Sequence, residues 1–344
     1  SRPAEEHPLL DSRLTTEEDV YRFTGLEEFS GPLSIELAFD PAKRVEGDTV
    51  VVYFEAEMRS AGGGGYVRTG WPLLHSAVDW EAGEPTDSLD YPAEYIHASL
   101  EPFGLGERWI YRAGSETRGR SLAELHELCD AAALFLIRGV PLIVWRDEYD
   151  APRRRSFVDV DPGFTQISLA KGDPLLAETI GKSESIFTYG HNIGGPCCPI
   201  PTGGRHWHKT VPPMFLDEWP VADQDDRGAF TSVMRWRGVK DRELNGVVYG
   251  QKDREFPKFW DLPQRTSDRF ELALTGGGEH ACIERGWQVM SGWQASRTPQ
   301  IYRQYIQSSR AEFGVAKHGY AHGRVGWFSD RSICYLASGR PVLV

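Results

Sequence analysis

Residues Arg120–Asp161 read RSLAELHELCDAAALFLIRGVPLIVWRDEYDAPRRRSFVDVD, and this stretch decides the fold class. Ser121 and Glu124 have the spacing of a capping box, and the leucines after them recur at helical spacing, so a helix is predicted. The apolar segments Ala132–Ile137 and Ser156–Val160 have the length of strands. Strand and helix signals separated by short turns are typical of a parallel α/β sheet, so we predict a Rossmann-like domain here.

Upstream of this stretch, one buried strand is predicted behind a polar leader. Residues Ser1–Asp48 are polar and are predicted to pack weakly, whereas Thr49–Phe54 is apolar on both faces, like a strand buried between layers. The glycine run Gly62–Gly65 follows. Such a run lets a backbone approach a ligand and exposes amide donors, but a flexible surface loop explains it equally well.

Downstream, the Gly- and Pro-rich stretch Tyr189–Pro220 has no periodic segment and is predicted to connect two domains. A second α/β series follows it. The predicted strands are Phe230–Trp236, Arg269–Leu274, Gly286–Met290, Phe313–Ala316 and Pro341–Val344, and the predicted helices are Pro299–Gln307 and Ser329–Ser338. We therefore predict a leader (1–48), an N-terminal Rossmann-like domain (49–205) and a C-terminal Rossmann-like domain (206–344). Because the chain stops inside an apolar strand signal, we expect natural residues beyond Val344.

The overall composition argues against several classes of protein. The 344 residues carry a formal net charge of −12, which is the wrong sign for bulk binding to duplex nucleic acid or an anionic membrane. No apolar run reaches the length of about 18 residues that predicts a membrane span. An odd number of widely spaced cysteines, with no signal-peptide pattern, predicts reduced thiols and a cytoplasmic protein. These cysteines are Cys129, Cys197, Cys198, Cys282 and Cys334.

The last predicted helix has the features of an anion-binding site. Ser329 is a suitable N-cap, Gly339 supplies the position after the helix, and a glycine-bearing loop leads into the helix N-terminus. Outward-pointing amides and the helix dipole favour negative charge there. Asp330 would oppose a bound phosphate, and Arg331 with its basic neighbours offsets that charge. An ordinarily capped helix without a ligand is the alternative.

The C-terminal sequence Ser309–Val344, SRAEFGVAKHGYAHGRVGWFSDRSICYLASGRPVLV, resembles the donor-binding end of GT-B glycosyltransferases. The segments RRRSFVDVDPGFTQI, FTYGHNIG, HWHKTVPPMFLDEWP and YGQKDREFPKFWDLPQR also resemble stretches of bacterial glycosyltransferase-like proteins. The resemblance extends over roughly Val50–Val344. It implies two Rossmann-like domains that face each other across a cleft, with a nucleoside-diphosphate sugar on the C-terminal domain and an acceptor on the N-terminal domain.

The resemblance also implies roles for individual residues. The loop His318–Gly323 and the turn Ser329–Ser332 would hold the donor diphosphate, without a metal and without a cofactor besides the sugar nucleotide. The donor-binding candidates are His318, Gly319, Arg324, Ser329, Asp330, Arg331, Ser332 and Lys252, and the acceptor-side candidates are Gly63, Gly64, Gly65, Tyr189 and Asn192. The chain departs from the family at two positions. Many retaining members carry a glutamate at each of them, whereas this sequence has Gly326 and Cys334.

His191 is the candidate catalytic base. It follows the predicted strand Ile186–Tyr189, at the strand end where α/β sheets place ligands, and histidine has a suitable pKa for accepting a hydroxyl proton. A structural hydrogen bond is the alternative role, and His75 with Asp79 is a weaker choice for the base. Three residues of the run YGQKDREF either reach the nucleotide or form a solvated face. They are Tyr249, Lys252 and Arg254.

Three other hypotheses remain. Asp159 and Asp161 form a D-x-D that could hold a divalent metal against a donor diphosphate, although a turn-forming aspartate before Pro162-Gly163 explains it more simply. The run His206–His208 with the adjacent Cys197 and Cys198 lacks the usual zinc spacings, so a packed linker is favoured. Finally, the absent glutamates motivate a second hypothesis, a binding or scaffold protein of GT-B shape that has no turnover.

Overall fold

A computed structural model describes the backbone of residues 52–61, 64–69, 78–79, 84–85, 90–113, 116–139, 145–223, 227–238 and 240–344. Side chains are described from residue 93 onward, except at 113–115, 140–144, 224–226 and 239. The chain divides into two compact units, Ser1–Asp48 and Thr49–Val344, and every described residue belongs to the second. The leader, Gly63 and His75 therefore lie outside the described residues, as does the side chain of Asp79.

The first part of the described chain forms a mixed sheet. Its elements are β1 (Val52–Ala61), β2 (Gly64–Thr69), β3 (Val78–Asp79), β4 (Glu84–Pro85), α1 (Asp90–Leu100), β5 (Trp109–Ala113), β6 (Glu116–Gly119) and α2 (Leu122–Ala131). The strand order is β2-β1-β5-β6, in which only the central pair β1 and β5 runs parallel. Strands β3 and β4 form a separate antiparallel pair.

Gly64 and Gly65 of the glycine run belong to a hairpin, so the alternative of a flexible surface loop is wrong for these two residues. Both lie in β2, where Gly64 pairs with Ala61 and Gly65 with Ser60. Their backbone faces an antiparallel strand because β1 continues to Ala61, well past the predicted end at Phe54. A contact with an acceptor stays a prediction for these glycines.

The capping box that starts α2 is confirmed. The Ser121 amide donates to Glu124 Oε2 over 2.8 Å, and the Glu124 amide donates back to Ser121 Oγ over 3.2 Å. The apolar face of α2 then buries Leu125 and Cys129 against Ile110 of β5. The local signal and the packing of the helix therefore agree.

The second sheet is wholly parallel. Its elements are β7 (Phe135–Arg138), β8 (Arg155–Asp159), α3 (Phe164–Ala170), α4 (Pro174–Gly181), β9 (Ser185–Thr188) and β10 (His208–Lys209), and the strand order is β10-β9-β8-β7. The strands predicted at Ala132–Ile137, Ser156–Val160 and Ile186–Tyr189 are confirmed. The stretch Tyr189–Pro220 is more than a connection, because it supplies β10 to this sheet.

The third sheet is also parallel and is doubly wound. Its region contains β11 (Phe230–Arg235), β12 (Arg242–Leu244), β13 (Val247–Tyr249), α5 (Leu262–Arg265), β14 (Phe270–Thr275), α6 (Glu279–Ile283), β15 (Gln288–Ser291), α7 (Gly292–Ser296), α8 (Pro299–Gln307), β16 (Ala311–Phe313), α9 (His318–His322), α10 (Asp330–Ala337) and β17 (Val342–Leu343). The strand order is β15-β14-β11-β16-β17. The hairpin of β12 and β13 is separate.

This order creates a switch point between β11 and β16. The chain begins in the middle of the sheet, moves outward through β14 and β15, and then returns to the other side of β11. In doubly wound sheets, ligands bind beyond the carboxyl ends of the strands at this point. Four of the five predicted strands of the series and both predicted helices are present, and α8 has the predicted bounds. The strand predicted at Phe313–Ala316 is displaced, because β16 ends at Phe313. The predicted loop His318–Gly323 is wrong, because α9 occupies it.

The largest core cluster joins the second sheet to residues downstream of it. Phe157 and Ile167 belong to the second sheet and its helix α3, and they share this cluster with Tyr249, Tyr320 and Val325. The protein is therefore a mixed α/β structure with parallel sheets, as predicted, and the domain boundary at 205/206 stays a prediction. No helix within the described ranges is long and apolar enough to cross a membrane.

We expect Phe157→Ala to lower the free energy of unfolding by about 3–5 kcal/mol, because it removes a fully buried ring from the shared core. Leu136→Ala on the neighbouring strand is the matched control. Leu136 is 53% exposed, so its truncation should change the free energy of unfolding by less than about 0.5 kcal/mol. Urea denaturation measures both variants, and equal effects would contradict this assignment of the core.

Candidate functional site

The carboxyl ends of the second sheet meet the chain between β16 and α10. Lys317 Nζ donates to Asp161 Oδ1 over 2.8 Å, and the Asn192 side-chain amide donates to the Arg324 carbonyl over 3.1 Å. Gly190 and Trp327 form an isolated antiparallel bridge. We call this meeting place the junction. Its residues at or after the ends of β7, β8 and β9 are Arg138, Asp161, Tyr189, His191 and Asn192. Its residues from the segment 317–330 are Lys317, Tyr320, Arg324, Gly326 and Asp330.

Asp159 fixes the turn that carries Asp161. The Asp159 side chain is fully buried, and its Oδ1 accepts from the Asp161 amide over 3.0 Å and from the Thr165 hydroxyl over 2.6 Å. Its Oδ2 accepts from Gln166 over 2.8 Å and from Thr188 over 2.7 Å. Burial raises the pKa of the Asp159 carboxyl, and the side-chain hydrogen bonds oppose that shift. This carboxylate therefore anchors β8, α3 and β9 to one another.

Asp161 projects from the turn into the junction. Besides Lys317, the hydroxyl of Tyr320 donates to Asp161 Oδ1. Burial raises the pKa of Tyr320, and the Asp161 charge raises it further, so the phenol stays protonated as a donor. Both aspartates of the D-x-D thus accept bonds from protein groups. Within the residues that the structure describes, no group of three or more His, Cys, Asp or Glu side chains is arranged to hold a metal ion.

His191 lies in the junction as a half-buried side chain. Its amide donates to the Gly326 carbonyl over 3.2 Å, which ties the end of the second sheet to the segment before α10. Burial lowers the pKa of the imidazole, and the nearby Lys209 charge lowers it further. The Lys209 ammonium is itself held by the carbonyls of Gly190 and Ile193. A neutral imidazole able to accept a proton is therefore favoured near pH 7.

Tyr189 and Asn192, the other acceptor-side candidates, have different surroundings. Tyr189 is buried, its phenol is hydrogen-bonded to Arg138, and Arg138 Nη2 lies 3.8 Å from Asp330 Oδ2 at the start of α10. Asn192 packs against Gly326, where a Cβ would lie 2.9 Å from Asn192 Cγ and φ is +68°. Tyr189 is thus linked to the helix terminus through Arg138, whereas Asn192 holds the backbone of the opposing segment.

The switch point of the third sheet contains an arginine and a lysine. Arg331 Nε donates to Glu312 Oε1 over 2.5 Å and its Nη1 donates to the Val233 carbonyl over 3.0 Å, so the guanidinium joins α10 to β16 and β11. Lys252 Nζ donates to the Val315 carbonyl just beyond β16. Lys252 is only 6% exposed, so the interpretation of a solvated face is wrong for it.

The neighbours of Lys252 in the run YGQKDREF are divided. Tyr249 is buried in the core, which also contradicts a solvated face, whereas Arg254 is exposed and pairs with Asp241 over 2.8 Å. Of the three residues, Lys252 alone reaches the strand ends where a ligand would bind.

The N-terminus of α10 is capped as predicted. Ser329 Oγ accepts from the Arg331 amide over 3.2 Å, and Gly339 follows the helix with φ of +75°. Asp330 is exposed, whereas Ser332 is fully buried. Among the described side chains, the Ser332 hydroxyl and Glu312 Oε2 are buried without a hydrogen-bond partner. Buried polar atoms of this kind usually have a partner, which may be protein, water or ligand.

The amides of α9 are already used, in contrast to the prediction that they hold a diphosphate. The His318 amide donates to the Gln251 carbonyl over 3.3 Å, and the Gly319 amide donates to the Gly250 carbonyl over 2.9 Å. His318 Nδ1 also accepts from the Gly250 amide over 3.1 Å. Arg324 is exposed with φ of +45°. The amides of His318 and Gly319 therefore dock α9 on the end of β13, and anion binding at α10 and Lys252 stays a prediction.

The zinc hypothesis finds no support in the part of the chain that the structure describes. Trp207 is buried in the core, whereas the His206 and His208 rings lie edge to face with their centroids 4.6 Å apart. The Cys198 thiol donates to the Gly323 carbonyl over 3.2 Å, and all five cysteines are free. These contacts agree with a packed segment.

Four residues of the site were missed by the sequence reasoning. They are Arg138, Glu312, Lys317 and Tyr320. The sequence carried a signal for two of them. Lys317 follows directly after a predicted strand, and Glu312 is a charged residue beside a predicted apolar strand, where a buried carboxylate needs a partner. The roles of the other two depend on contacts with residues remote in sequence.

Comparisons with protein-family models, with curated proteins and with solved structures find no match to this chain.

A double-mutant cycle tests the contact between the second sheet and the segment before α10. We expect Asp161→Asn and Lys317→Met to be non-additive by about 0.5–3 kcal/mol in the free energy of unfolding, because each variant removes the same contact. Urea denaturation of the two single variants and the double variant measures this coupling. Additivity within about 0.3 kcal/mol would show that the contact is absent in solution.

We expect Asp159→Asn to lower the free energy of unfolding by about 1–3 kcal/mol. The reason is that the new NH2 group would face a donor group whose hydrogen bond the carboxylate oxygen accepts in the unmodified chain. Asp130→Asn, at an exposed position of α2, is the matched control and should be nearly neutral. Thermal and urea denaturation measure both variants. An Asp159→Asn variant with an unchanged free energy of unfolding would contradict the anchoring role of Asp159.

Proposed function

We propose that this chain is a metal-independent glycosyltransferase that moves a sugar from a nucleoside-diphosphate sugar to an acceptor, with two Rossmann-like domains in a GT-B arrangement. The observation that carries the proposal is the junction, where the carboxyl ends of one parallel sheet meet the segment that leads from the switch strand β16 into α10. Ligands of α/β sheets bind at such strand ends. The resemblance of Ser309–Val344 to donor-binding segments supports the same place.

The donor diphosphate binds at the N-terminus of α10. Lys252, Arg331 and Lys317 supply positive charge there, and the first-turn amides other than that of Arg331, which Ser329 Oγ occupies, supply donors. Residues 93–344 contain 31 Lys and Arg and 31 Asp and Glu, so the net charge of −12 comes from residues 1–92. Residues 93–344 are therefore neutral in formal charge.

Catalysis in this arrangement is mainly electrostatic. As the sugar–phosphate bond breaks, negative charge develops on the departing diphosphate, and fixed cations and amides stabilise that charge. His191, on the opposite side of the junction, accepts the proton of the attacking acceptor hydroxyl. Tyr189 and Arg138 position the acceptor side, because they connect the end of the second sheet to Asp330.

A binding protein without turnover is the second candidate, and one observation favours it. Neither position of the glutamate pair carries a carboxylate: Gly326 is wedged against Asn192, and Cys334 is buried within α10. Such a protein would bind the sugar nucleotide without transferring the sugar or hydrolysing the donor. A metal-dependent transferase built on Asp159 and Asp161 is distinguished by its sensitivity to EDTA.

Calorimetry with UDP, GDP, ADP and dTDP tests the proposal. We expect one of the four to bind with a micromolar dissociation constant, and the matching sugar nucleotides to be hydrolysed slowly even without an acceptor. Binding of none of the four would sink the proposal. Binding without sugar release would favour the binding protein, and loss of release in EDTA would favour the metal-dependent alternative.

We expect His191→Ala to lower kcat by about 10²–10⁴-fold with little change in nucleotide affinity, because it removes the general base and leaves the donor site intact. Since the pKa of His191 lies below its ordinary value, kcat should rise with pH through that lowered pKa and stay level above it. His280→Ala, at an exposed position of α6, is the matched control. A parallel loss in both variants would contradict the role of His191.

A further inference from the structure

Lys252 is buried at the switch point without a carboxylate of its own. Its ammonium donates to the Val315 carbonyl, and none of the ion pairs found among the described side chains includes Lys252. A buried ammonium normally needs a counterion, because desolvation costs far more than one carbonyl contact returns. The local charge balance therefore decides whether this lysine is protonated.

The charged groups around Lys252 come from every element packed against it. Arg331 faces it from α10, Lys317 from the start of α9, and Glu312 from β16. Glu312 Oε1 is taken by Arg331, and Lys317 is paired with Asp161. The 3-10 turn Phe256–Phe259, which follows Lys252 in the chain, begins at the N-cap residue Glu255. The Glu255 carboxylate is already in an ion pair, since Lys258 Nζ lies 2.5 Å from its Oε2.

His318 completes this set of titratable groups. Its Nε2 lies 4.0 Å from Glu255 Oε1, and its amide docks on the Gln251 carbonyl. The ammonium therefore has two cations, Arg331 and Lys317, and one carboxylate, Glu312, around it, and that carboxylate is already paired with Arg331. Burial and the two cations favour the neutral amine of Lys252, whereas a bound anion would favour the ammonium.

We propose that a diphosphate diester binding at this switch point brings a proton from solvent onto Lys252 Nζ, so that ligand binding and proton uptake are coupled. The proposal rests on the proposed function for its ligand, since a nucleoside-diphosphate sugar is a diphosphate diester. The proton adds to the free amine lone pair, and no other bond forms or breaks. Lys252 then serves as an anchor that is charged only when the site is filled.

The direction of the pH dependence follows from linkage. Burial, and then the charges of Arg331 and Lys317, hold the pKa of Lys252 well below its ordinary value in the empty protein. A bound dianion raises that pKa again. Between the two pKa values, binding takes up a proton, so the dissociation constant should increase with pH by up to about tenfold per pH unit.

Isothermal titration calorimetry with P1,P2-dimethyl diphosphate tests the coupling. This diester has only strongly acidic oxygens, so it neither takes up nor releases protons near neutral pH. Titrations at roughly pH 8.5, below the ordinary lysine pKa, in buffers of different ionisation enthalpy should show uptake of about one proton per ligand. Lys252→Arg should bind without uptake, because arginine is already charged.

Two further variants complete the design. Lys252→Met should bind at least tenfold more weakly near neutral pH and show no proton uptake. Lys171→Met, at an exposed position after α3, is the matched control and should behave like the unmodified chain. Thermal denaturation of each variant confirms that it is folded. The unmodified chain is itself decisive, because its proton uptake is measured whether or not a variant folds.

The outcomes separate this inference from the proposed function. Diester binding without proton uptake in the unmodified chain overturns the inference and leaves the anion site in place. Uptake that persists in Lys252→Met assigns the proton to another group, such as His318, and also overturns it. Absence of diester binding overturns it as well. Uptake as expected, in a chain that transfers and releases no sugar, keeps the inference and overturns the transferase.

Discussion

The junction depends on a buried carboxylate. Asp159 ends β8 with no exposed surface, and a carboxylate buried without partners would cost several kcal/mol. Its donors come from the following turn, from α3 and from β9, so the carboxylate holds three elements in one arrangement. That arrangement directs Asp161 out of the turn towards Lys317 and Tyr320. The contact between the second sheet and the segment before α10 therefore depends on Asp159, because the partners that this buried carboxylate needs fix the turn that carries Asp161.

Arg331 and Lys252 bring positive charge to the same switch point but find different partners. Arg331 is bonded to the buried Glu312, and removing one member of a buried pair typically costs about 3–5 kcal/mol. Arg331 therefore stabilises the fold as well as belonging to the proposed donor site. Lys252 is bonded to a carbonyl, which accepts its hydrogen bond without balancing its charge. This difference is the reason for proposing Lys252 as the cation whose protonation a ligand controls.

Local signals predicted helix ends accurately and long-range partners poorly. The Ser121 and Glu124 box and the Ser329 cap lie where they were expected, because each depends on groups within one helical turn. Gly64 was misjudged, since a buried strand followed by glycines precedes either a ligand loop or an antiparallel strand. Helix α9 replaced a predicted loop because two of its amides find carbonyls at the end of β13. The sequence of α9 gives little indication of these contacts with residues remote in the chain.

The sequence by itself determined most element types, most strand positions and the mixed α/β class with parallel sheets, and it predicted the helix that is proposed to receive an anion. These follow from hydrophobic periodicity and from capping chemistry, both of which act between near neighbours in the chain. Only the tertiary structure decided the order β15-β14-β11-β16-β17, the burial of Lys252 and the pairing of Asp161 with Lys317. These features arise where residues remote in sequence share desolvation costs and counterions, and no local pattern encodes which residues will meet.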